Sequence, residues 1–218
     1  MLSAHAIVDL HDQLTRAWHL ESDDLPPSAD ANQSAEPHST PLTENEWLDL
    51  VARQHRANFD LWHIEDEART PGVADAQLAL VKRQIDSTNQ LRNDLTESLD
   101  RALLDWLAPQ GLPKPDAPLH SESPGLMIDR LSILALKIFH TREEAERADA
   151  PTGHNDRNLN RLAVLEEQRT DLAHCLDSLW QETLAGHRSF KIYRQLKMYN
   201  DPSLNPAIYR KQPADPVH

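Results

Sequence analysis

Hydrophobic and polar positions along this chain recur with a helical period over most of its length. A first helix is predicted over about 2 to 19. A second starts at the capping box Thr43-x-x-Glu46 and runs to about Arg69. The turn Thr70-Pro71-Gly72 is short, so a third helix, about 73 to 107, returns antiparallel to the second. A fourth spans about 124 to 148, with Ser123 as its cap and Pro124 in its first turn. A fifth runs from about 156 and stops at Gly186, and a short sixth is expected near 188 to 198. The pattern predicts an all-α protein: an antiparallel bundle of four long helices with an extra N-terminal helix and a C-terminal tail packed on it. The domain reading is an N-terminal helix over 1–19, a flexible linker over 20–42, a bundle with its closing tail over 43–211, and a disordered end over 212–218.

The predicted buried stripes turn polar partway along. On the second helix the stripe runs Trp47, Val51, His55, Asn58, Trp62, Glu65, Arg69, while Asp49, Arg53, Arg56, Asp60, His63 and Glu67 fall on the face expected to be solvated. On the third, Leu78, Val81 and Ile85 give way to Asn89, Arg92, Asn93 and Thr96, then to Leu99, Asp100, Leu103 and Leu107. The fourth is apolar around nearly its whole circumference. It nevertheless carries Asp129 and His140 along one line and Arg130 and Lys137 along the next. Arg169 interrupts the stripe of the fifth. An unpaired buried charge costs many kcal/mol, so these groups must pair with each other or be neutralised by a ligand. Two readings stay open: an ion-pair layer that fixes helix register, or a ligand site set into that layer.

Charge and composition narrow the partners. The net charge is −13, which argues against nucleic-acid binding. Residues 187–211 run against that balance, with Arg188, Lys191, Arg194, Lys197, Arg210 and Lys211 facing only Asp201. A basic tail carrying Phe190, Tyr193, Met198, Tyr199 and Tyr209 is expected to dock on the acidic body. The single cysteine, Cys175, excludes an internal disulfide framework, fits a cytoplasmic setting and is read as a small core residue. No secretion signal and no membrane span are recognised. Neither a cofactor nor a set of metal ligands is assigned, because there is no phosphate loop, no Cys pair and no His-Glu-x-x-His sequence.

Four stretches, HRANFDLWHIEDEAR (55–69), IDSTNQLRNDLTESLD (85–100), SPGLMIDRLSILALKIFH (123–140) and FKIYRQLKMYNDPSLNP (190–206), together resemble a bacterial family described as domain of unknown function 4254. The likeness covers about 43 to 206. It implies a cytoplasmic helical protein encoded near glycosyltransferases of surface-polysaccharide pathways, and so a role in glycan or sugar-nucleotide metabolism. With the polar stripes, this gives two functional expectations. In one, Arg69, Arg92, Arg130, Lys137, Arg169 and Lys197, with Asn58, Asn89, Asn93 and Asp100, bind an anionic small molecule, while Glu65 or Asp129 acts as base or orienting group and His140 carries protons. In the other, the polar layer is structural and the chain is a non-catalytic accessory that partners a glycosyltransferase or a second copy of itself.

Overall fold

The computed structural model describes residues 2–21, 42–194 and 203–206. It is all-α: α1 (Ala4–Glu21), α2 (Glu44–Ala68), α3 (Asp75–Leu107), α4 (Pro124–Glu146) and α5 (His154–Leu184) pack on one another, and no strand occurs among the described residues. None of these helices is long and apolar enough to cross a membrane. The expected 20–42 linker, Lys197 and the 212–218 end lie outside the described residues, apart from the linker's boundary positions.

The helix starts follow local chemistry. Thr43 and Glu46 form the reciprocal capping box of α2. Ser123 accepts the Leu126 amide at the head of α4, where Pro124 needs no hydrogen bond. Asp100 of α3 braces that same end, accepting from the Ser123 hydroxyl and from the Gly125 amide at 2.7 Å. Helices α2 and α3 form a hairpin whose tip stands clear of the bundle: Leu78 and Leu80 are exposed there.

Helix α4 is central, packed against each of the other four helices. This accounts for its nearly continuous apolar circumference. Met127, Ile128, Leu131, Leu136 and Ile138 are all fully buried. Met127, Ile128 and Leu131 join Trp47 and Val51 of α2, Leu99, Leu103 and Leu107 of α3, and Leu176 of α5 in one core. Helix α1 covers the α2 face that the periodicity leaves to solvent. There Arg56 stacks over the Trp18 ring, 5.0 Å from its centroid, and His63 is only half exposed.

Two expectations are corrected. The sixth helix does not form over 188–194. Ser189 instead makes a single parallel bridge with Leu119, donating to Pro118 O at 3.0 Å and accepting from the His120 amide at 2.7 Å. The basic run from Arg188 has too few apolar contacts to hold a helix, and its one large side chain in the core is Phe190. Cys175 is exposed on α5 and is no core residue.

Gly125 marks the closest approach of α3 and α4. A Cβ there would stand 2.5 Å from the Thr96 carbonyl oxygen and 2.9 Å from the Asp100 carboxylate. The Thr96 backbone and the buried Asp100 carboxylate block the space, so Gly125→Ala should lower stability by about 1–3 kcal/mol in urea denaturation. An unchanged midpoint would show that the two helices do not meet there.

Candidate functional site

The polar positions of α2, α3 and α4 converge on one carboxylate. Asp129 is buried and accepts four hydrogen bonds. Arg92 grips it with two, Nε to Oδ1 and Nη2 to Oδ2, both at 2.9 Å. Gln54 Nε2 donates to Oδ1 at 2.6 Å and Asn58 Nδ2 to the same oxygen at 2.9 Å. Asn89, one turn before Arg92, accepts from Arg92 Nη1 at 3.4 Å. Helices α2 and α3 are thereby tied to one point on α4.

The network continues into α1. Asn58 also donates to Ser132 Oγ at 2.9 Å, Ser132 lies 2.7 Å from His55 Nδ1, and His55 Nε2 lies 3.1 Å from His11 O and 2.9 Å from Thr15 Oγ1. A carbonyl only accepts, so His55 carries its proton on Nε2 and receives the Ser132 hydroxyl proton on Nδ1. The ring is neutral: burial pushes its pKa down to about 3, only partly offset by the hydrogen bond to His11. His11 stacks on it at 4.4 Å and is likewise held well below its ordinary value, first by burial and then by His55 and Arg169.

Asp100 sits away from Asp129, at the α3–α4 contact. Burial raises its pKa to about 6, against the opposing hydrogen bonds from Ser123 and Gly125 and with a smaller push from Glu97. Arg92, Asn93, Thr96, Asp100, Asp129 and Tyr193 line a small cleft of about 70 Å³ between the two carboxylates. Asn93 Nδ2 is buried there with no hydrogen-bond partner among the described residues.

The remaining candidate residues lie elsewhere. Glu65 and Arg69 pair with each other at 2.9 Å on the exposed hairpin end of α2. Arg169 of α5 binds Asp12 of α1 through both carboxylate oxygens, at 2.8 and 2.9 Å. His140 stands 11 residues beyond Asp129, about 16 Å along the axis. It stacks on Trp62 with ring centroids 5.0 Å apart and hydrogen-bonds Glu143. Glu65, Asp129 and His140 therefore do not meet at one point. Arg130 and Lys137 are exposed on the adjacent face of α4. They line an open groove of about 650 Å³ between α4 and α5, with Met127, Ile133, Leu134 and Leu172 as its apolar wall and Gln168 and Cys175 opposite. Gln54, Ser132, Thr15 and His11 belong to the buried network but fall outside the sequence-derived set. Gln54 lies one position off the predicted α2 stripe, and that offset is the signal that points to it.

A family model described as "Protein of unknown function (DUF4254)" matches residues 48–192, about two thirds of the chain. No curated protein and no solved structure matches it.

Removing Arg92 strands a buried carboxylate. Arg92→Ala should cost about 3 kcal/mol, and Asp129→Asn in that background should recover much of the loss, because an amide needs no counter-charge. Chemical denaturation of both variants checks this, and an Arg92→Ala protein as stable as the parent would refute the pairing. Asp100 gives a pH signature. Its folded pKa lies above the unfolded value, so its contribution is complete below about pH 4 and is lost as pH rises through about 6. His11 and His55 act in the opposite sense, because their depressed values withdraw stability as pH falls below 6.5. Asp100→Asn should therefore remove a decline of up to roughly 3 kcal/mol between pH 4 and 6, read as the difference from the parent curve. Parallel curves would count against it.

Proposed function

Because the chain belongs to the DUF4254 family, we propose that it binds a phosphorylated small molecule of the sugar-phosphate or sugar-nucleotide class, in the cytoplasm and in the service of surface-glycan synthesis. The α4–α5 groove is the binding site in this reading. The carrying observation is that Arg130 and Lys137 rise from one wall of it, two turns apart on a helix immobilised from its other side. Arg130 is held by Glu122 at 2.7 Å, while no ion pair to Lys137 occurs among the described residues. A groove of about 650 Å³ has room for such a ligand, and its mixed lining offers apolar contact for a sugar or base. The 70 Å³ cleft at Asp129 is too small for one.

In this reading Asn58, Asn89, Arg92, Asn93, Asp100 and Asp129 position α4 and do not touch ligand. No reaction is assigned: Asp129 already accepts four hydrogen bonds, two of them in its ion pair with Arg92. The fully paired state of Asp129 also favours a second reading, a non-catalytic accessory that docks a glycosyltransferase or a second copy of itself, with the polar layer purely structural.

Thermal-shift titration separates them. Inorganic phosphate, sugar phosphates and nucleoside diphosphate sugars should raise Tm by a few degrees at saturation. The double variant Arg130→Ala/Lys137→Ala should keep the ligand-free Tm, since both side chains are exposed, and lose that shift. No shift with any of these compounds, or a shift that survives the double variant, would overturn the groove assignment and leave the accessory reading.

A further inference from the structure

Three histidines meet where α1, α2 and α4 come together beyond the Asp129 network. One ring nitrogen each from His19, His63 and His140 lies within 4.8 Å of the others. Each ring is oriented by a hydrogen bond from its other nitrogen. His19 Nδ1 donates to Thr15 O at 2.7 Å, His63 Nδ1 donates to Phe59 O at 2.8 Å, and His140 Nδ1 binds the Glu143 carboxylate at 2.9 Å. A proton on Nδ1 puts the lone pair on Nε2, so three Nε2 lone pairs are directed into one space. His140 Nε2 is buried with no hydrogen-bond partner among the described residues. Its ring is clamped flat against Trp62, 9° from parallel.

The geometry points to a mononuclear transition-metal site, with Zn²⁺ the metal class it suits, held by Nε2 of His19, His63 and His140. The donor set decides the metal: neutral imidazoles suit zinc and its first-row neighbours, whereas magnesium and calcium demand oxygen. The secondary hydrogen bonds are those a metal-bound histidine makes, with backbone carbonyls behind two rings and a carboxylate behind the third. A tetrahedral zinc needs its nitrogens about 3.4 Å apart, so the present spacing closes by small side-chain rotations. Three protein ligands leave the fourth position to water or to one oxygen of an anion. All three side chains are partly buried, and His140 Nε2 itself is shielded from solvent. The site stands apart from the α4–α5 groove and does not depend on the reading given for it.

The three rings also pack with Phe59 and Phe139, at centroid distances down to 4.3 and 4.2 Å, as a purely aromatic core would. Metal titration decides between the two roles. Full-length, tag-free protein, stripped with chelator and dialysed against Zn²⁺, should retain one equivalent by elemental analysis and gain several degrees in Tm. Co²⁺ should give the intense visible bands of a four-coordinate nitrogen site. His63→Ala and His140→Ala should abolish the cobalt spectrum and the retained zinc. Glu143→Gln, which leaves all three ligands in place, should weaken zinc binding roughly tenfold to a hundredfold. His5→Ala, on an exposed turn of α1, should change nothing. Should either ligand variant fail to fold, the Glu143→Gln titration and the parent cobalt spectrum still decide the matter. Retention of less than half an equivalent with no cobalt bands, or binding equal in parent and Glu143→Gln, would overturn the site and leave a packed aromatic cluster.

Discussion

The structure depends on keeping one negative charge, that of Asp129, inside a helical core. A carboxylate on the middle of the most buried helix is tolerable only if its hydrogen-bonding capacity is filled from several directions. That requirement dictates where the other helices stand. Arg92 must come from α3, and Gln54 and Asn58 from one face of α2, each within 2.9 Å of the same group. Apolar packing alone would allow α2 and α3 to slide by a turn against α4. Asp129 removes that freedom, because a one-turn slip would strand it. The cost in stability relative to an apolar core is exchanged for a single register.

The same logic runs outward through Ser132 and His55 to α1. Because His55 is neutral, the chain of donors from Asn58 through Ser132 to the His11 carbonyl has one direction and no spare proton. Helix α1 is thus held by polar groups as well as by Ile7, Trp18 and the Asp12–Arg169 ion pair. This matters functionally because α1 joins the bundle only through residues 22–41. A network that positions it to hydrogen-bond accuracy also positions what it carries further along, His19.

Much of this was legible in the sequence, and the boundary of legibility has a physical cause. Helix periodicity places Asn58, Arg92 and Asp129 on inward stripes, and the energetics of buried charge require them to meet. Caps at Thr43 and Ser123 follow from local chemistry, which a single sequence records directly. Periodicity locates residues around a helix but not the ends of its burial. The stripe of α2 therefore continues on paper to Glu65 and Arg69, where the hairpin has already left the bundle and the two pair with each other. His63 shows the complementary failure. It lies on the face of α2 that the periodicity leaves to solvent, and only the packing of α1 against that face turns it inward. No pattern within residues 44–68 records a helix arriving from across a linker.

The two faces of α4 divide the work that its opening sequence poses as a puzzle. Asp129 and Ser132 face α2 and are spent on architecture, with the carboxylate accepting four hydrogen bonds. Arg130 and Lys137, about 100° further round, face the groove and solvent. A charge used to hold helices together is a poor ligand site, because binding would have to break the contact that keeps the fold in register. Recognition chemistry in such a bundle therefore belongs where side chains are anchored at their bases and open at their tips. That condition is met along the α4–α5 groove, where Arg130 and Lys137 are exposed. It is not met at the network's centre.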